Sequence, residues 1–311
     1  MDRLDPVQTI AVTEDADALV MSVPMVFLAK RQVLLAGLRG APFPVVAFRF
    51  DRQTAKLTRM GESRLPGSAP YLSVDADERF LLSVANPGAS AFVQELAPDG
   101  LPKPEPTSSH TGMPKAHCVL ARGNVVYVAS CDGPAIFQFT LDGSGRMTPL
   151  SPPSVAGTGT DDFRHMAISS DGRSLYVISE LKGSLTHFAI DPQSGALTHR
   201  ASVPLADEDC AAADIAIVNG GRHIVTSERR RSTLSVTALG ADGSIGDSTT
   251  MPTEASPRAM AVAPNGRHLF VAGEQSNAIA IYAVAPDNGA LTLLGRTEVG
   301  TTPNWITVIP T

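Results

Sequence analysis

Three observations in the 311-residue sequence predict an all-β protein, a seven-bladed β-propeller. The first is a repeated hairpin. Polar turns occur at Lys30-Arg31-Gln32, Asp77-Glu78-Arg79, Arg122-Gly123-Asn124, Asp171-Gly172-Arg173, Gly221-Arg222 and Asn265-Gly266-Arg267, and each leads into an apolar run. Marker residues in those runs, Val33, Leu81, Val126, Leu175, Ile224 and Leu269, are 48, 45, 49, 49 and 45 residues apart. A period in the forties with several short strands per repeat is the signature of a propeller blade. The second observation is that two further strands follow in the clearest repeats. Segments 184–190 and 196–200, and again 278–284 and 290–295, are joined by turns containing Asp191 and Gly195 or Asp287 and Gly289. That gives four strands per repeat. The third is that no segment sustains a helical period of 3.6. A pair of β-sandwiches is the competing architecture, and the regular spacing argues against it.

In chain order, residues 7–12 and 18–23 read as outer strands of an incomplete blade, and six repeats follow. A last first-strand, 303–308, matches 257–262 and contains the single tryptophan, Trp305. The chain stops six residues later. The ring is therefore expected to close by joining N- and C-terminal strands in the last blade, which removes an open sheet edge. The whole chain, 1–311, is expected to be one domain.

Composition narrows the function classes. Charged residues are 18% and apolar residues 43%, as in an ordinary soluble globular protein. The net charge of −6 offers no general basic surface for nucleic acid or an anionic membrane. Three cysteines (Cys118, Cys131 and Cys210) are too few for a disulfide framework, and reduced thiols in the cytoplasm are the simplest expectation. The N-terminus lacks the basic and apolar regions of a signal peptide. The most apolar window, residues 18–29, contains Ser22 and Pro24 and is too short to span a bilayer.

Candidate chemistry gathers at the hairpin spanning 163–181. Its first strand starts with Arg164-His165 and its second ends at Glu180, so a cation, an imidazole and a carboxylate meet at one end of it. By the same blade topology His117 enters the third repeat and Arg229 leaves strand two of the fifth, so all five are expected on one face near the axis, where ligands bind in a concave mouth. Plainer readings stand beside these. An Arg–Glu pair is often only an ion pair, Arg229-Arg230-Arg231 reads as a solvated turn, and His165 as a packed strand end. Cys118 and Cys131 read as two buried thiols. Asp161-Asp162 and Asp207-Glu208-Asp209 are acidic loops, but no ligand spacing supports a metal, and no cofactor is expected.

Several motifs in order carry a family resemblance. Ser-Asp-Gly-Arg-Ser-Leu-Tyr-Val at 170–177, Ser-Glu-Leu at 179–181, Ala-Ala-Asp-Ile at 212–215 and Pro-Asn-Gly-Arg-His-Leu-Phe-Val at 264–271 resemble the seven-bladed lactonase family. That family includes bacterial 6-phosphogluconolactonase of the propeller type and fungal 3-carboxy-cis,cis-muconate cyclase. The resemblance implies a catalytic set of His117, Arg164, Glu180 and Arg229, with His165, Arg230, Gln275 and Trp305 as substrate-binding positions. It implies a metal-independent lactonase in carbohydrate metabolism, acting on a small anionic lactone or its ring-opened acid. Opening a lactone needs a base for water, here Glu180 or His117, and donors for the developing oxyanion; Arg164 and Arg229 would serve as anion clamps. A carboxymuconate cycloisomerase would use the same groups, and a propeller that only binds a partner is the non-enzymatic alternative. Two departures bear on the substrate: Asp132 is followed by Gly133 where the family has arginine, and Glu274-Gln275 replaces Gln-Lys. The second loses a lysine, gains a carboxylate, and brings in a carboxylated lactone as an alternative to a phosphorylated one.

Overall fold

The structure, a computed structural model, describes residues 3–14, 21–133, 135–158, 161–206 and 209–310. It contains six four-stranded antiparallel sheets, each built from strands consecutive in the chain. They fall into two compact units.

The N-terminal unit comprises residues 5–132 and 136–154. Its first sheet is β1 (Met25–Leu28), β2 (Val33–Gly37), β3 (Pro44–Asp51) and β4 (Lys56–Arg64). The second is β5 (Leu72–Val74), β6 (Phe80–Ala85), β7 (Ser90–Glu95) and β8 (Ser108–Thr111). The third is β9 (Ala116–Arg122), β10 (Val125–Ser130), β11 (Ala135–Leu141) and β12 (Met147–Ala156). The C-terminal unit centres on residues 155–310. Its sheets are β13 (Phe163–Ile168) to β14 (Ser174–Ser179), β15 (Ser184–Ile190) and β16 (Leu197–Pro204); β17 (Ala212–Val218) to β18 (His223–Glu228), β19 (Thr233–Leu239) and β20 (Ile245–Pro252); and β21 (Pro257–Val262) to β22 (His268–Gly273), β23 (Ala278–Val284) and β24 (Leu291–Glu298).

Burial explains the sequence pattern. Strand two of each sheet is covered on both faces; β6, β10, β14 and β18 are buried at every residue, so they read as continuous apolar runs. Outer strands such as β20 and β24 are mostly exposed, and β20 is largely polar. Successive sheets meet through apolar layers. Tyr176, Ile178 and Leu185 pack on Ala212, Ile215 and Ile224, and Ala216, Val225 and Leu234 share a cluster with Met260, Leu269 and Val271.

The repeated turn is also a repeated backbone conformation. Three residues before the marker, Glu78, Gly123, Gly172, Gly221 and Gly266 have φ of 56°, 57°, 68°, 91° and 67°. Glycine is the residue that reaches this left-handed region without steric cost. Glu78, the exception, is buried, and its carboxylate accepts the Lys30 amide at 2.9 Å.

The expected seventh sheet does not form among the described residues. Neither 7–12 nor 303–308 is a strand, and half of the 18–23 segment, residues 18–20, lies outside the described residues. In the N-terminal segment a side chain does the pairing instead of the backbone. Gln8 Nε2 donates to the Leu57 carbonyl at 2.9 Å and its Oε1 accepts the Leu57 amide at 2.7 Å, while Ile10 and Val12 pack beside Leu34, Val46 and Phe48. No helix among the described residues is long and apolar enough to cross a membrane.

Candidate active site

A one-residue β-bulge interrupts the first hairpin in four of the sheets, where strand one begins. Phe163 pairs with Ser179 but Met166 with Val177; Ala212 pairs with Glu228 but Ile215 with Thr226; Pro257 pairs with Gly273 but Ala259 with Ala272; Ala116 pairs with Ser130 but Cys118 with Ala129. Bulges re-aim side chains, and they occur beside active sites. The residues inside these four bulges are Arg164-His165, Ala213-Asp214, Arg258 and His117. The residues just past strand two are Glu180, Arg229, Glu274 and Cys131.

In the C-terminal unit these positions build one polar cluster from three consecutive sheets. Arg164 Nε lies 3.3 Å from Glu180 Oε1, and Arg164 Nη1 donates to the Ala213 carbonyl of the next sheet. Arg229 Nη2 donates to the same Glu180 oxygen, while Arg229 Nε donates to the Ala211 carbonyl at 3.0 Å. One carboxylate oxygen therefore faces two guanidinium groups. His165 Nδ1 is 2.9 Å from Asp214 Oδ1, and Asp214 Oδ2 accepts the Met260 amide at 2.7 Å. The Trp305 ring meets His165 edge-on with centroids 6.3 Å apart. Arg258 Nη1 pairs with Glu274 Oε1 at 3.2 Å.

A buried carboxylate sets the turn that holds Arg229. Glu228 accepts the amides of Ala211 at 2.6 Å, Arg230 at 2.9 Å and Arg231 at 2.6 Å. Such bonds to an ionised acceptor are stronger than neutral ones and fix the turn.

Electrostatics follow from burial. Arg164 is 3% exposed, and burial pulls its guanidinium down to about 10, with Arg229 and Arg258 adding to the effect and Glu180 opposing it. It remains charged at neutral pH. Burial would raise the Glu180 carboxyl, but Arg164 and Arg229 outweigh it and hold the group below the usual carboxylate range. His165 is 5% exposed, and burial, helped by Arg164, pushes it below its ordinary 6.5 against the pull of Asp214. It is thus neutral at pH 7, with the Asp214 contact favouring the proton on Nδ1.

That depression sets a sign for stability. The unfolded chain protonates this histidine near 6.5 while the folded chain resists until lower pH. Between the two values the unfolded state binds more protons, so acidification weakens the fold. Replacing His165 by glutamine is expected to flatten the fall in urea midpoint between about pH 7 and pH 5. His187 and His223 are also depressed by burial, so part of the slope persists. Parallel slopes for both proteins would remove His165 from this account.

Of the positions singled out in the sequence, Arg164, His165, Glu180 and Arg229 come together, with Trp305 against His165. Arg230 does not join them; it is exposed and pairs with Asp209. Gln275 is exposed, and its backbone amide closes a turn onto the Ala255 carbonyl at 3.1 Å. His117 belongs to the N-terminal unit, half-buried in the β9 bulge. Sequence reasoning missed Asp214, Arg258 and the partnership of Arg258 with Glu274. Register was the available signal: Asp214 follows Ala213 as His165 follows Arg164, and Arg258 with Glu274 repeats the placement of Arg164 with Glu180. The 161–162 loop is occupied by protein groups. Asp161 accepts from Thr158, Ser179 and Ser184, and Asp162 accepts the Leu181 amide at 2.6 Å. Asp207 and Glu208 lie outside the described residues.

Fold and site together define an all-β propeller whose blades gather arginines and carboxylates at one end of their first hairpins. Comparison with known proteins gives the family. The chain belongs to the seven-bladed β-propeller lactonase family, whose model matches residues 4–308. It is 30% identical to the 6-phosphogluconolactonase of Cronobacter sakazakii over 98% of this chain and 93% of that protein. It is 33% identical to that of Pectobacterium carotovorum over 92% and 87% respectively. Among solved structures, the periplasmic gluconolactonase of Pseudomonas aeruginosa superposes with a TM-score of 0.84 at 19% identity, covering 97% of this chain and 90% of that one.

Proposed function

We propose that this protein hydrolyses a sugar-acid lactone of the 6-phosphogluconolactone type, using the Arg164–Glu180–Arg229 cluster. The observation that carries the reading is that one carboxylate oxygen is shared by two arginines from adjacent sheets. Water adds to the lactone carbonyl, and Glu180 accepts its proton. The guanidinium N–H groups stabilise the oxyanion that develops. Collapse of the tetrahedral intermediate breaks the ring C–O bond; the ring oxygen takes the proton held by Glu180, which is thereby ionised again, and the product is the open hydroxy acid. Glu180 is a weak base while both arginines hold it. The oxyanion that develops on the carbonyl draws Arg229 toward itself, which weakens that hold and raises the basicity of Glu180 as the proton is taken. Asp214 fixes His165 beside the cluster as a hydrogen-bonding wall of the site, with Trp305 behind it. His117, in the β9 bulge of the N-terminal unit, is kept as a further catalytic candidate on its register position alone. Arg230 and Gln275, both exposed, are kept as outer substrate contacts.

The test is ring-opening of purified protein on 6-phosphogluconolactone and unphosphorylated aldonolactones, followed by proton release. Failure with every lactone would overturn the reading. Since Asp161, Asp162 and Asp209 already bond to protein groups, chelation is expected to leave turnover unchanged. If EDTA abolished activity and calcium or zinc restored it, those loops would have to be ligands.

The two units read as one propeller domain, since a single family model spans 4–308. Its seventh blade is assigned to the terminal segments; Trp305 against His165 and the Leu4 amide on Thr297 Oγ1 at 3.1 Å support this. The cytoplasm is the proposed compartment, on the low cysteine content.

A further inference from the structure

The geometry points to Glu274 as a charge filter that makes this site prefer a sugar lactone carrying no phosphate. The inference rests on the lactonase reading and names the member of the substrate class. Every arginine of the cluster already has a carboxylate partner. Arg164 and Arg229 share Glu180, and Arg258 is taken by Glu274, whose two oxygens lie 3.2 and 3.4 Å from Nη1. Ser256 Oγ donates to the second oxygen at 3.4 Å, which steadies the carboxylate. His165, neutral, adds no positive charge, and Asp214 adds a negative one.

The sum over the cluster is three positive charges from Arg164, Arg229 and Arg258 against three negative from Glu180, Asp214 and Glu274. Arg258 is part of this field, because it contributes to the lowering of Arg164. A phosphate monoester carries about −1.5 to −2 at pH 7. To bind here it would have to displace a carboxylate from an arginine and leave that carboxylate facing a dianion, which is unfavourable in a partly buried site. A neutral lactone ring with hydroxyl groups meets no such opposition; it hydrogen-bonds to N–H and carboxylate groups where they stand. Side-chain exposures of 22% for Arg258 and 23% for Glu274 leave the pair reachable by ligand and still poorly screened.

Glu274 is the residue whose charge tips the balance. Unlike Glu180 it bridges no second arginine, and unlike Asp214 it holds no neighbouring backbone amide in the bonds described. Glu274→Gln keeps the size and the Ser256 contact, and it gives the cluster one net positive charge with Arg258 open to an incoming anion.

The experiment is steady-state hydrolysis of δ-gluconolactone and 6-phosphogluconolactone by the wild type, Glu274→Gln, and Glu274→Gln with Arg258→Met. The wild type is expected to favour gluconolactone in kcat/KM by about tenfold or more. Glu274→Gln should shift the ratio toward the phosphorylated lactone by about tenfold, mostly through KM, which is the equilibrium size of one added charge contact. The double variant should lose that shift, because the cation that Glu274 restrained is gone. A wild type that favours the phosphorylated lactone overturns this inference and leaves the lactonase reading intact. So does an unchanged ratio in Glu274→Gln. Turnover of neither lactone overturns both.

Discussion

Glu180→Gln is expected to lower kcat by about 10²–10⁴-fold, the usual contribution of a positioned general base, and to lower the melting temperature as well. The second effect comes from Arg164. Its guanidinium is 3% exposed and loses its carboxylate partner, while its remaining bond is to the Ala213 carbonyl. Removing one member of a buried ion pair costs about 3–5 kcal/mol. Glu180 is 25% exposed on its side chain, so a value just below that range, about 2–3 kcal/mol, is the better expectation after screening. That is a fall of several degrees in a chain of this size. A second substitution separates chemistry from stability. With Arg164→Met added, the unpaired charge disappears and much of the lost stability should return, giving a large favourable coupling in the double-mutant cycle. Turnover should stay lost. Recovery of turnover along with stability would show that the cluster is a structural tie, and retained turnover in Glu180→Gln alone would exclude Glu180 as the base.

The blades were legible because a blade is a local unit. Its turn residue must reach positive φ, its second strand is covered on both faces, and its outer strands alternate, so spacing and periodicity report it directly. Gly172 and the run Leu175–Ile178 illustrate the point. The pairing of Arg164 with Glu180 was legible for the same reason, since both sit at one end of one hairpin. What crosses from sheet to sheet was not. Asp214 lies 49 residues from His165, and only the packing of consecutive sheets brings the two to 2.9 Å. The burial of Arg164 was equally hidden, because arginine is usually a surface residue and nothing in its neighbours announces a low exposure. The strands expected for a seventh sheet are not formed among the described residues. A motif around Trp305 matched a first strand, yet 303–308 forms no ladder among the described residues, where the tryptophan ring is instead placed against His165. Arg230 and Gln275 are exposed beside the cluster, not inside it, and sequence alone does not separate the side chain that turns inward from its neighbour.

Arg229→Lys is expected to lower kcat/KM by about 10–100-fold, about 1.4 kcal/mol for each factor of ten. Arg229 uses two edges of its guanidinium at once. Nε is tied to the Ala211 carbonyl at 3.0 Å, and Nη2 reaches Glu180. The first bond fixes the plane of the fork, and the fixed plane aims the second. A lysine ammonium is a compact point charge with no plane, so it can satisfy Ala211 or Glu180 but cannot present an oriented pair of N–H groups to an oxyanion. Charge is conserved, so Glu180 stays ionised and Arg164 keeps its partner. Stability should therefore move by less than about 1 kcal/mol, unlike the change expected for Glu180→Gln. The loss should divide between KM and kcat according to what the fork does. If Arg229 only holds a ground-state anion, KM rises with kcat unchanged; if it also stabilises the developing oxyanion, kcat falls too. The proposed mechanism requires the second pattern. Wild-type kinetics in Arg229→Lys would assign the Arg229–Glu180 contact to inter-sheet packing and leave Arg164 as the sole guanidinium available to the reaction.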